Sequence, residues 1–164
     1  MDFKNEKQLE KFLLSKCKAA IIGTEQRVHN IIDKCLRQFY AQFEPEEYIR
    51  TEQLLHSLVK TNVKKVGNGY EAEVYFDGDK LNYQNGQIKI KSTESTGRMG
   101  YAVWDKDTIL DVVMTGSYSG LPHGGYANGT AIWTKSEAIM ASLGGVYEMI
   151  EQELKVIGVP VRKG

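Results

Sequence analysis

The sequence predicts an α+β fold: a long N-terminal helix packed on a small, mainly antiparallel sheet, with a C-terminal helix. Three observations predict it. One apolar stripe at helical spacing runs through the first quarter of the chain. The middle is rich in β-branched and aromatic residues broken by glycine turns. The last part returns to helical periodicity. A chain of 164 residues can bury a real core as one domain. No internal repeat and no linker divides it, so residues 1–164 are expected to form a single domain.

The long helix is expected from Asn5 to Phe43. Leu9, Leu13, Cys17, Ala20, Thr24, Val28, Ile31, Cys35, Phe39 and Phe43 recur at steps of three and four and define one stripe. Phe12, Ile21, Ile32, Leu36 and Tyr40 widen it. Asn5 and Gln8 can cap the start, and Glu6 complements the N-terminal dipole. Pro45 disfavours helical geometry at Glu44 and sets the end. Such a helix is ~58 Å long, more than a domain of this size needs. Gly23 interrupts the stripe without changing its phase, so the helix is expected to be continuous. Either it crosses the domain and packs on the sheet, or part of it projects and packs on neighbouring copies.

Thr51 can cap a short helical turn from Glu52 to Leu58. The sheet region, 59–90, opens with two strand-like runs, Val59–Val66 and Tyr70–Phe76, around the turn signal Gly67-Asn68-Gly69. In the second run Tyr70, Ala72, Val74 and Phe76 share one face, and Glu71, Glu73 and Tyr75 the other. Asp77-Gly78-Asp79 ends it. A turn at Asn82–Gly86 leads to a short strand, Gln87–Ile90. Lys91–Met99 reads as a polar loop and Asp105–Val113 as a short helix. Thr115–Gly129 is glycine-rich and irregular. The C-terminal helix is expected over 135–156, on Ala138, Ile139, Leu143, Val146, Tyr147, Ile150 and Leu154, and Gly158-Val159-Pro160 stops it.

Composition excludes several functions. Lys plus Arg and Asp plus Glu are 21 each, so the basic excess of a non-specific nucleic-acid binder is missing. No apolar run nears the ~20 residues of a membrane span, and the charged start carries no secretory pattern. Cys17 and Cys35 would lie ~27 Å apart along one helix, too far for a disulfide. They read as free thiols of a protein made in a reducing cytoplasm.

The search for chemistry finds none. His29, His56 and His123 form no i, i+4 pair, and no Cys-x-x-Cys or His/Cys cluster offers a metal site. Gly116–Gly120 carries serines but no following helix to present a nucleophile. The glycines of 120–129 lack the lysine of a phosphate loop. Positive φ angles explain them, with a contact loop as the other reading. Asp77 and Asp79 are too few for a calcium loop. No catalytic residue, metal or cofactor is expected, and the chain reads as a non-enzyme.

One pattern is more specific. Tyr48, Arg50, Thr51, Leu54 and Ser57 form Y-x-R-T-x-x-L-x-x-S directly after the long helix. This resembles a family of tailed-phage minor tail components, the tail-completion or head–tail joining proteins. The strand pair ending in Tyr75-Phe76-Asp77, the loop Leu121-Pro122-His123-Gly124-Gly125 and Ala131-Ile132-Trp133 before the last helix are similar to that family too. The family form has Gly after the Arg-Thr pair, where this chain has Glu52. Residues 83–101 match nothing in the pattern and read as an insertion.

The resemblance implies a structural virion protein of a tailed phage or phage-like particle. It would be a tail-completion or neck subunit assembling as a homo-oligomeric ring at the head–tail junction. It implies contacts with connector or adaptor, tail terminator and tail-tube proteins, DNA only as the passing genome in the lumen, and no membrane. The site would be the neck or tail of the virion, reached after synthesis in the host cytoplasm. Interface or structural roles fall on Tyr48, Arg50, Thr51, Ser57, His123, Gly124, Gly125 and Trp133. Arg50 would fix the turn after the helix through an ion pair or backbone contact. The alternatives are a tail terminator or head–tail adaptor subunit and, in another class, a small soluble enzyme or ligand-binding module using the glycine-rich loop around His123.

Overall fold

The computed structural model describes residues 3–42, 52–81, 86–90, 100–104, 110, 114, 117–118, 121–122 and 132–161. The chain divides into two compact units. One comprises Met1–Cys35, Leu58–Tyr75 and Ser136–Gly164, the other Leu36–Ser57 and Phe76–Lys135. The fold is α+β, with a long N-terminal helix, small two-stranded ladders and C-terminal helices.

Helix α1 runs from Glu6 to Gln42 without a break, about 55 Å. Its start is capped as the residues suggest: Gln8 N donates to Asn5 Oδ1 at 3.0 Å, and Lys4 N donates to Gln8 Oε1 at 3.1 Å. Gly23 does not split it. In the first unit the stripe buries Ala20, Thr24, Ile32 and Cys35, and Glu25 is buried beside them. The N-terminal part of the stripe is different. No residue from Phe3 to Ala19 is buried, and Leu9 and Leu13 are 39% and 43% exposed. Thus only part of the predicted stripe faces a core.

The hairpin forms at its predicted turn. Strands β2 (Lys64–Val66) and β3 (Gly69–Glu71) pair antiparallel, Val66 opposite Gly69 and Lys64 opposite Glu71. Gly67 takes φ 55° in the two-residue loop, which a residue without Cβ adopts freely. The two long strands expected here are each interrupted. A separate pair, β1 (Leu58–Lys60) with β4 (Val74–Phe76), lies beyond Thr61–Val63 and Ala72–Glu73. The interruption has a local cause. Thr61 N donates to Glu73 O at 2.9 Å, but Glu73 N turns to the Thr61 hydroxyl at 3.0 Å. The expected alternation survives it: Tyr70, Ala72, Val74 and Phe76 are half-buried, while Glu71, Glu73 and Tyr75 are exposed.

In the second unit a longer ladder joins β5 (Gly86–Ile90) to β6 (Gly100–Trp104), antiparallel over five residue pairs from Gly86–Trp104 to Ile90–Gly100. The apparent insertion is therefore where a strand pair is built. The glycine-rich segment expected to be irregular holds a minimal ladder, β7 (Ser117–Tyr118) against β8 (Leu121–Pro122). The loop expected at Lys91–Met99 lies outside the described residues, and so does almost all of the helix expected at Asp105–Val113.

The single helix expected over 135–156 is two: α3 (Ile132–Ser142) and α4 (Gly145–Val156). Gly144 and Gly145 take φ 88° and 81°, a left-handed backbone that stops α3 before α4 begins. Apolar periodicity continues through this corner, which is why the sequence reads as one helix. In the first unit two side-chain contacts join α1 to the C-terminal part of the chain at α4. Lys16 Nζ donates to Ile157 O at 2.9 Å, and Arg27 meets Glu153 at 3.5 Å. Among the described residues no helix is long and apolar enough to cross a membrane.

Candidate functional site

The segment expected to carry structural roles sits around α2 (Gln53–Ser57). Ser57 is fully buried, and its hydroxyl donates to Leu54 O at 2.7 Å. Its own carbonyl accepts from Asp77 N at 2.8 Å. One residue therefore ties the end of α2 to the end of β4. Asp77 in turn caps the 3-10 turn Gly78–Lys80 by accepting from Asp79 N at 3.1 Å. Leu54 on α2 and Leu81, the residue that follows this turn, are both buried. Asp77 thus satisfies a backbone donor at a strand end, a capping role.

The most informative backbone angle lies one residue before α2. Glu52 has φ 55°, and it is the one non-glycine residue with positive φ among those described. Its carbonyl accepts from His56 N at 3.1 Å and starts the helix. A left-handed turn at this position is what glycine adopts without steric cost. The left-handed φ of Glu52 falls at the position where the expected pattern has glycine.

Trp133 is on α3, 38% exposed, next to the fully buried Ile132. Ser57 and Trp133 thus lie on different helices. Tyr48, Arg50, Thr51, His123, Gly124 and Gly125 lie outside the described residues. His56 is exposed on α2.

A second polar feature was not legible in the sequence. On α1, Thr24 Oγ1, Glu25 Oε1 and His29 Nδ1 are buried without a hydrogen-bond partner. Thr24 and Glu25 are each more than nine-tenths buried. Glu25 and His29 are one turn apart and lie on the same side of the helix. Polar residues inside an apolar stripe were the available signal. Among the described residues no three His, Cys, Asp or Glu side chains form a group able to hold a metal ion.

No curated protein and no solved structure matches the chain. Residues 5–154 match the family YomN, a span that takes in α1, the four ladders of the described residues, α3 and most of α4. The chain belongs to the YomN family and is phage-associated.

Proposed function

We propose that this chain is a non-enzymatic structural subunit of a tailed phage or phage-like particle, a tail-completion or neck subunit that assembles as a ring at the head–tail junction. The observation that carries the reading is the left-handed turn at Glu52, directly before α2 and its buried Ser57. It places the geometry of a glycine turn at the position where the tail-completion pattern has glycine, and the phage-associated family supports the same setting. The partners in this reading are neighbouring copies and the connector, terminator and tail-tube proteins, with DNA only passing through the lumen.

Particles purified by density gradient after induction test it. Mass spectrometry is expected to find this chain at a fixed ratio to the capsid protein, and a labelled antibody to decorate the neck. Deleting the gene is expected to leave filled heads and separate tails by electron microscopy. Label at the distal tail, or a deletion that lengthens tails, would favour a terminator or another tail position. Particles that lack the chain and form normally without it would sink the virion reading.

A further inference from the structure

The first unit carries two unpartnered apolar surfaces of opposite charge. The first is the N-terminal arm, Phe3 to Ala19, which leads into and includes the start of α1 and has no buried residue. Phe12 is partly covered by Phe3, ring to ring at 5.2 Å, and by Lys16 at 5.4 Å from its centroid. Leu9 and Leu13 stay open one turn apart on one face. The arm holds five lysines against two glutamates. The second surface is the α3–α4 corner. Leu143, Val146 and Tyr147 are exposed there, Tyr147 to 88%. From Ser136 to Glu148 the chain has two glutamates and no lysine or arginine.

These surfaces cannot cover each other within one chain. Lys16 lies against Ile157, and Arg27 against Glu153. As numbers rise along α1 they fall along α4, so the arm lies past the C-terminal end of α4 and Tyr147 lies at its N-terminal end. A second copy can join them. We propose that the arm of one copy seats Leu9 and Leu13 on Leu143, Val146 and Tyr147 of the next copy, a head-to-tail contact. The opposite net charges steer the encounter, and the apolar side chains supply the contact. Unlike an isologous dimer interface, this contact leaves an arm and a corner free at each end, so it propagates into a ring or a filament. The inference deepens the subunit reading and takes its biological setting from it.

Mixing complementary variants tests the contact. L9Q/L13Q removes the apolar arm with little change in helix propensity, and V146Q/Y147Q removes the corner. All four side chains are exposed, so circular dichroism and the melting temperature should match the wild type. By light scattering the wild type is expected to grow with concentration beyond its 18.5 kDa chain mass. Each variant alone stays at that mass. The two mixed form a species of twice that mass and no larger, because one intact arm meets one intact corner. A wild type that stays monomeric, single variants that associate like wild type, or a mixture that does not dimerise would each overturn the contact. Particles that contain the chain while the mixing test fails would remove this contact alone. A mixing test that succeeds while particles lack the chain would remove the virion reading alone.

Discussion

The carboxylate of Glu153 occupies the space that a methyl group on Gly23 would need. Gly23 therefore leaves the notch that the Glu153 side chain fills, and Glu153 reaches Arg27 at 3.5 Å. Gly23→Ala gains about 1 kcal/mol of helix propensity. It also pushes away the flexible end of Glu153, and the part-buried ion pair lost with it is worth about 1 kcal/mol. Chemical denaturation is expected to place the variant within about 1 kcal/mol of wild type. In an Arg27→Ala background the same change should be more favourable. A loss above about 2 kcal/mol in both backgrounds would mean that the notch is rigid and this account is wrong.

Glu52 offers a test of the turn before α2. A left-handed residue with a side chain costs roughly 1–2 kcal/mol, and glycine relieves it at some cost in unfolded-state entropy. Glu52→Gly is expected to be as stable as wild type or up to about 1 kcal/mol more stable, while Glu52→Val, β-branched at positive φ, is expected to lose stability. Thermal melts of the three proteins read the order directly. Val equal to Gly would rule out the turn as described.

At the α3–α4 corner, two glycines make different demands. A Cβ on Gly144 would stand 2.8 Å from Glu148 Cβ, whereas one on Gly145 meets nothing within 4 Å. Both have left-handed φ, so each alanine variant should lose about 1 kcal/mol or more from backbone strain. Gly144→Ala should lose more, because it adds a clash. Equal losses in urea titrations would leave the clash without energetic weight.

Thr24 places a hydroxyl oxygen in the interior with no partner. Replacing an unsatisfied buried polar group by an apolar one of the same shape removes a desolvation cost. Thr24→Val is expected to raise stability by about 0.5–1 kcal/mol, since the two residues have similar helix propensity. If Val lowers stability instead, the hydroxyl has a partner that matters in solution.

The sequence and the structure agree where local chemistry decides. The Asn5 and Gln8 cap, the Gly67 turn and the alternation of 70–76 depend on neighbours in the chain, and each stands where the residues place it. The failures depend on distant partners or on backbone angles. Periodicity runs unbroken from Ala138 to Leu154, and only the φ of Gly144 and Gly145 shows that one helix is two. Leu9 and Ala20 belong to one stripe by spacing, yet one is exposed and the other buried, because burial depends on what packs there. At the motif, Ser57 was identified from its pattern, but its link to Asp77 crosses twenty residues and leaves no mark on either segment alone.

The two cysteines on α1 differ in a useful way: Cys17 is exposed, and Cys35 is buried. A thiol reagent added to the native chain should therefore react quickly with one equivalent, at the arm. The second equivalent should wait for the helix to come away from its packing. Its rate, followed against denaturant, would time the opening of α1 around Cys35 without any engineered probe. Meanwhile a dye on Cys17 would sit one turn from Leu13, where a neighbouring molecule would have to arrive.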